Sequence, residues 1–466
     1  MKLNRFVGDR AFYRRVLAVA VPMMVQMGIT NLVNLLDNIM VGRLGTESMS
    51  GVSIVNQFIF IFNLLIFGAI SAAGIFTAQY HGLGDREGEK YTFRFKFLIN
   101  LVAAVLGIAV FACFDEQLIS LFLHTGEATG DLSKTLSEGQ IYLTVMLLGL
   151  IPYAISQVYA STMRETGETI VPMLASIVAV VTNFTLNCIL IFGLLGAPAL
   201  GVKGAAIATV ISRFAELFLL VVWGHTHTKK CGFLVGAFRS LYLPRKLFGQ
   251  IAVKGLPLMA NELFWALAMT LRNQCYSTRG LDVVAAQNIC STILNVFNVV
   301  YMSIGNSIAV IVGNELGAGK LEQARDTDRK MMTFSIFCAT VMGALLIACS
   351  GLFPQLYNTD AHVRSLAGYM IIVSAVIMPM NAFAHSAYFT LRSGGKVLVT
   401  LLFDSVYMWS VVLPLSFVLS RFTDMSIYWL FVICQGCEIV KVIFGSILLK
   451  KGGWVRQLVA DESLKK

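Results

Sequence analysis

Apolar runs recur along the chain, each closed by glycine, proline or a cluster of charges. Twelve fall at about 16–41, 50–80, 91–113, 135–163, 168–195, 203–224, 248–277, 284–314, 328–352, 364–391, 397–420 and 426–449. A helix needs about 20 apolar residues to cross the hydrocarbon core of a bilayer. All twelve reach that length, and the longer ones have room to tilt or to project beyond the lipid. The pattern predicts an all-α membrane protein of twelve transmembrane helices. Pro22, Pro257, Pro152, Pro172 and Pro379 fall inside these runs, where each removes a backbone hydrogen bond and can kink its helix.

Composition supports that class. Of 466 residues, 57% are hydrophobic and 13% are charged, against about 25% charged in a soluble domain. The first run is too long for a signal peptide and lacks a small-residue cleavage site, so it reads as a span. The net charge of +10 is placed by topology and not by nucleic acid. With the N-terminus cytoplasmic, 27 of the 36 Lys and Arg fall on the inner side and six on the outer, as the positive-inside rule requires. Arg213, Arg272 and Lys441 stay within spans. Nine cysteines are scattered. Cys434 and Cys437 have redox spacing but stand in a membrane run without partner ligands, so no metal or redox role is expected.

The chain repeats itself. A shift of 235 residues lays Pro22 on Pro257, Asn38 on Asn273, Gly45 on Gly280, Phe62-Asn63 on Phe297-Asn298, and Gly82-Leu83-Gly84 on Gly317-Ala318-Gly319. Later, Pro152…Gly167 echoes Pro379…Gly394. Six spans per repeat is an even number, so both halves point the same way. That implies a pseudo-two-fold along the membrane normal with a cavity between two lobes. The expected division is an N-lobe at 1–224, a cytoplasmic linker at 225–247 carrying solvated His225 and His227, and a C-lobe at 248–466 with a short basic tail. The register also shows a break in symmetry: Asp37 falls on Arg272, and Met27 on Glu262.

Asp37 closes a run that carries no other charge from Val16 onward. A carboxylate within a membrane helix costs about 2.5 kcal/mol or more, so it persists where it is paired, hydrated or used. It reads as a cation or proton site. A second polar set lies in the C-terminal half. Glu262 is eight residues past Lys254 and Asp404 eight past Lys396, each roughly 12 Å from the inner end of its helix. With His385 and Lys441 near them, they are expected to form a cluster that titrates or receives cationic substrate, or that locks the lobe as an ion-pair network. Arg213 and Glu216, three apart on the sixth run, read as a structural pair.

Asp37-Asn38-Ile39-Met40-Val41-Gly42-Arg43-Leu44-Gly45 resembles the first-helix motif of the multidrug and toxic compound extrusion (MATE) family. Asn183-Phe184-Thr185-Leu186-Asn187 through Phe192-Gly193, followed by Gly201-Val202-Lys203-Gly204-Ala205-Ala206-Ile207-Ala208-Thr209, is similar to that family's fifth- and sixth-helix signature. The glycines at 82, 84, 317 and 319 resemble its cytoplasmic loop glycines. The resemblance implies two six-helix lobes in a V. It implies a bacterial inner- (plasma-) membrane exporter, with both termini cytoplasmic, that exchanges drugs or other organic cations for H⁺ or Na⁺. It also implies an ion site at Asp37, Asn183, Asn187 and Thr209. Many members carry Asp where this chain has Asn187, and some carry an acid in the tenth helix where this chain has Asn381 and His385. One carboxylate suits a proton or a weakly held Na⁺. Helical rise agrees: Asp37, Asn187 and Thr209 all reach the outer half of a ~30 Å core. Twenty Met and 32 Phe would make a pliable, aromatic wall suited to varied lipophilic cations. No cofactor is expected beyond the coupling ion, and the chain is read as a monomer in membrane lipid.

Three other classes fit the sequence less well. A flippase for a lipid-linked sugar or other amphipathic metabolite would call for more cavity-lining cations than Arg213, Arg272 and Lys441. A membrane enzyme would need a convergent His, Cys or Ser constellation, which six scattered His do not make. A channel fits poorly with an asymmetric repeat.

Overall fold

The computed structural model describes residues 5–122, 131–357 and 359–460. Lys2 of the basic N-terminal arm, and Lys465 and Lys466 of the basic tail, lie outside them. The described residues contain helices and turns and no strand. Among the described residues, eleven helices are long and apolar enough to cross a membrane, and twelve when one bent pair is counted as a single span. In order they are Arg10–Gly42, Thr46–Leu83, Arg86–Cys113, the pair Leu132–Leu147 and Leu150–Glu165, Ile170–Phe192, Gly201–Thr226, Arg245–Ser277, Leu281–Gly317, Leu321–Cys349, Ala361–Ser393, Val397–Arg421 and Ile427–Lys450. We refer to them as the first to twelfth helices. Each predicted run lies within or across one of them.

The prolines act in different ways. Pro22, Pro257 and Pro379 sit inside unbroken helices. The fourth helix turns by 49° at Leu148–Gly149, just before Pro152, which has no N–H to offer the Leu148 carbonyl. Pro172 is the third residue of the fifth helix, where a missing donor costs nothing. In the eleventh helix two π-helical turns, Leu402–Val406 and Met408–Val412, precede Pro414. Widened turns of this kind are a known way to absorb a proline and often mark functional positions.

The 235-residue repeat is structural. Arg10–Gly42 shifted by 235 gives the bounds of the seventh helix at both ends. The second helix maps onto the eighth to within a residue. The turns between them rest on Gly45 (φ +117°) and Gly280 (φ +119°), a backbone state that side chains other than glycine resist. The later echo is looser, because the left-handed residue is Gly395 and not Gly394.

The chain forms two compact units. One comprises Val25–Thr77 and Arg86–Gly249. The other comprises Gln250–Leu464 together with Met1–Met24 and Ala78–Asp85. Residues 5–24 and 78–85, which the predicted division gives to the N-lobe, group instead with the second unit.

Within the first unit, one apolar cluster gathers Phe62, Ile66, Phe93, Val158 and Tyr159, and another Val55, Leu143, Ile191 and Ala206. Large apolar side chains such as Val102, Leu106, Val181 and Phe218 face outward. Lipid is as apolar as a core, so close backbone packing and polar contacts hold such helices together. The segment 225–247 is tied into this unit. Cys231, Phe233, Leu234 and Ala237 are buried, and Arg94 donates to the carbonyls of Ala237 and Gly236 at 2.7 and 3.1 Å. His225 lies in the last turn of the sixth helix, not in a loop, and its Nε2 is 3.3 Å from the Tyr159 hydroxyl; His227 follows the helix, is exposed and stacks on Trp223.

In the second unit, the ends of the second and eighth helices cross reciprocally. A methyl group on Gly82 would stand 1.8 Å from the Asn314 carbonyl oxygen. One on Gly317 would stand 1.9 Å from that of Gln79. Gln79 and Asn314 are themselves 235 apart, so the crossing has local two-fold symmetry. Gln79 also accepts from the Leu458 N–H at 2.7 Å and donates to the Ser393 carbonyl at 3.0 Å. Arg15 Nη1 binds the buried Glu315 at 2.6 Å. The nine cysteines are free thiols.

Candidate functional site

Local sequence sets the geometry of the fifth and sixth helices. Gly193 (φ +73°) ends the fifth helix, and the turn returns so that Leu200 N–H donates to the Leu190 carbonyl at 2.8 Å. Gly204 then lies against that carbonyl, where a methyl group would stand 2.5 Å away. Two antiparallel helices locked in this register place Thr209 between the levels of Asn183 and Asn187. Asn183 and Asn187 are one turn apart on one face.

The four residues of the expected ion site come together. Asn187 Nδ2 donates to Asp37 Oδ1 at 2.6 Å and to Asn183 Oδ1 at 3.1 Å. Asn183 Nδ2 donates to Thr209 Oγ1 at 3.2 Å, and that hydroxyl donates to the Ala205 carbonyl. Asn183 and Asn187 are buried, while Asp37 and Thr209 are half-buried. The result is a continuous polar chain across the first, sixth and fifth helices, ending on one carboxylate. Tyr142 of the fourth helix, which sequence reasoning passed over, stands close enough to feel the Asp37 charge, and its hydroxyl donates to Asn56 Oδ1 at 3.4 Å.

As a cation site, the arrangement offers one anionic oxygen, two amide oxygens and a hydroxyl. The group turned toward Asp37 is the Asn187 amide nitrogen, a donor that cannot ligate a cation. An N–H donor satisfies the ionised carboxylate. Na⁺ would require that amide to turn its oxygen inward.

The second-half residues form a network with an unforeseen centre. Lys441 Nζ lies 2.9 Å from Asp404 Oδ1 and 3.9 Å from Glu438. Glu262 accepts from the Tyr388 hydroxyl at 3.2 Å. The buried Asn261 joins the two: its Nδ2 donates to Asp404 Oδ2 at 3.3 Å and to Tyr388 Oη at 3.4 Å. Its Oδ1 accepts from Ser405 N–H at 3.3 Å and from Ser405 Oγ at 2.7 Å, satisfying backbone that the π turn has freed. Asn261 precedes Glu262 in an apolar run, and that adjacency was the one signal for it. His385 stands within electrostatic reach of Asp404 and Lys441 but is not hydrogen-bonded to them. Its Nε2 is buried without a hydrogen-bond partner, and its ring packs on Tyr301 and Phe389.

Arg213 and Glu216 do not pair directly. The Arg213 guanidinium lies over the Tyr153 ring at 4.2 Å, and Glu216 Oε1 accepts from Ser176 Oγ at 3.0 Å. Among the described residues, no group of three His, Cys, Asp or Glu side chains gathers in metal-binding proximity.

The MatE family model matches residues 22–189 and 257–418, so each repeat carries one copy. The chain is 26% identical over 428 residues to "Multidrug resistance protein PmpM" of Pseudomonas aeruginosa, covering 90% of this chain and 86% of that one. It is 25% identical over 415 residues to "Probable multidrug resistance protein NorM" of Halalkalibacterium halodurans, covering 88% of each. Among solved structures it resembles the outward-facing conformation of a multidrug resistance MATE family transporter of the MOP superfamily. The TM-score is 0.84 at 19% identity, over 97% of this chain and 98% of that one. With both halves matched in register and the polar chain ending on Asp37, this chain belongs to the MATE family of membrane transporters.

Proposed function

We propose that the chain is a multidrug efflux antiporter that exports organic, often cationic, compounds in exchange for H⁺ by alternating access. The observation that carries the reading is the Asp37 carboxylate in a membrane helix, receiving the Asn187 amide at 2.6 Å. The N–H donor supports the anion, and a proton relieves the cost of a charge within a membrane helix. The relatives' names support the cargo class. The 27-to-6 bias of Lys and Arg supports an inner membrane with both termini cytoplasmic.

In this cycle Asp37 takes up a proton from outside. Neutralising it weakens the donation from Asn187 and changes which packing of the first helix is lower in free energy. Cargo and proton then weaken each other's binding by the same factor, as linkage requires. Asp404 is already matched by Lys441. Glu262, whose partner is the Tyr388 hydroxyl, is therefore the carboxylate we assign to the cargo's cationic group.

The test is efflux of a cationic dye from proteoliposomes with pH and Na⁺ gradients imposed independently. Asp37→Asn keeps the shape and the Asn187 contact but holds no transferable proton, so it should reconstitute normally and lose gradient-driven export. Export at the wild-type rate by this variant, across pH and Na⁺, would overturn the reading. Response to Na⁺ alone would transfer the coupling to that ion.

A further inference from the structure

A second polar layer lies further along the same three helix faces. Gln26 is eleven residues before Asp37 on the first helix, and Ser176 is eleven before Asn187 on the fifth. Both pairs, Asp37 with Asn187 and Gln26 with Ser176, are 150 residues apart, so the two helices run parallel in fixed register. On the returning sixth helix, Glu216 is seven past Thr209. Steps of seven and eleven return a helix to nearly the same face, about 10 and 16 Å along.

The layer is a directed chain of hydrogen bonds. Arg164 Nη1 donates to Gln26 Oε1 at 3.3 Å, Gln26 Nε2 donates to Ser176 Oγ at 2.8 Å, and Ser176 Oγ donates to Glu216 Oε1 at 3.0 Å. It begins on a guanidinium and ends on a carboxylate. The groups around Glu216 are Arg213 on its own helix, Tyr153 and Arg164 on the fourth, Ser176 on the fifth and, through Ser176, Gln26 on the first. Glu165, next to Arg164, is occupied by the buried Lys96.

A purely structural acid at this depth would be held by the cation three residues away. Instead Arg213 rests on Tyr153 with its Nε buried and unbonded, and among the described residues no cation lies within ion-pair distance of Glu216. The carboxylate is nearly fully buried and is held by one neutral hydroxyl. A membrane carboxylate so placed is costly when ionised, and protonation relieves that cost.

We propose that Glu216 is a second proton-binding site of the first unit, one polar layer inside the Asp37 site. Its oxygen gains the proton on acidification and loses it again when the pH is raised. The titration of Glu216 stands on its own, and only its use in transport rests on the antiport reading.

The test is a pH-difference infrared spectrum of the purified protein in lipid nanodiscs, read at the carboxylic acid C=O stretch. Wild type, Asp37→Asn, Glu216→Gln and the double variant are compared. Glu216→Gln keeps an oxygen for Ser176. It should remove one component of the band that appears on acidification, and Asp37→Asn should remove another. Should Glu216→Gln destabilise the protein, Ser176→Ala serves instead. It removes the hydroxyl donor and should move the Glu216 component in frequency without abolishing it. An unchanged band in Glu216→Gln, or in Ser176→Ala if that variant is used, overturns the proposal. Loss of a component in Glu216→Gln but not in Asp37→Asn sustains it and removes the ground for the antiport reading at Asp37.

Discussion

Lys441 and Asp404 meet at 2.9 Å between the twelfth and eleventh helices, with Glu438 a further 3.9 Å from the ammonium. Both partners are largely buried. Removing one member of such a pair leaves an uncompensated charge, typically at a cost of about 3–5 kcal/mol, whereas replacing both is often nearly neutral.

Lys441→Met alone should therefore lower the thermal stability of the purified protein markedly. The double variant Lys441→Met/Asp404→Asn should recover most of it. Melting curves in detergent or nanodiscs decide this. A single variant of wild-type stability that has lost transport would show that the pair serves cargo or coupling and not the lobe's integrity.

Asn187 differs from the Asp that many MATE members carry at this position. Asn187→Asp places a second carboxylate against Asp37 Oδ1, where the amide now donates. Two acids at that distance will not both ionise without a counter-ion. Export by this variant should become Na⁺-stimulated, and Na⁺ should slow its thermal unfolding relative to K⁺. Identical curves in the two salts would count against the four-residue cluster as a cation site.

Gly82→Ala and Gly317→Ala each drive a methyl group to within 2 Å of a carbonyl oxygen on the partner helix. Neither oxygen belongs to a side chain that can rotate away, so each substitution should destabilise strongly. Gly84→Ala provides the contrast, since its added methyl meets open space and only the φ of +77° is strained. The expected order of yield and melting temperature is wild type, then Gly84→Ala, then the two crossing variants.

Cys231 stands outside the spans and is fully buried beside Phe233 and Leu234. Burial first, and then the nearby Glu168 charge, push its thiol up to about 12. The thiolate is the reactive form, so at pH 7 to 8 Cys231 should resist maleimide while the exposed Cys113 is labelled. Rapid labelling of Cys231 in the folded protein would show that segment 225–247 is loose.

Much of this architecture is written in hydropathy. Twelve runs become twelve spans because lipid tolerates little else, and the 235-residue register survives in helix ends and in Gly45 and Gly280. Asp37 was legible because a lone charge in a long apolar run has few explanations. Asn261 was not, since one amide beside an acid carries no pattern until the eleventh helix opens its π turn against it. The Gln26–Ser176–Glu216 chain was hidden for a similar reason. Its members are single polar residues on three helices, and only the constant offset of 150 reveals them. The packing of segment 225–247 was masked by its surrounding lysines and arginines, which drew attention from Phe233 and Leu234.

The reciprocal crossing at Gly82 and Gly317 has a mechanical corollary. Contacts built from side chains can slip by changing rotamers, but main chain pressed on main chain has no such freedom. These two helix ends behave as a pin, able to swivel about the point of touch or to part altogether, and unable to slide. Any motion of the second unit that displaces one of them along its axis must carry the other with it.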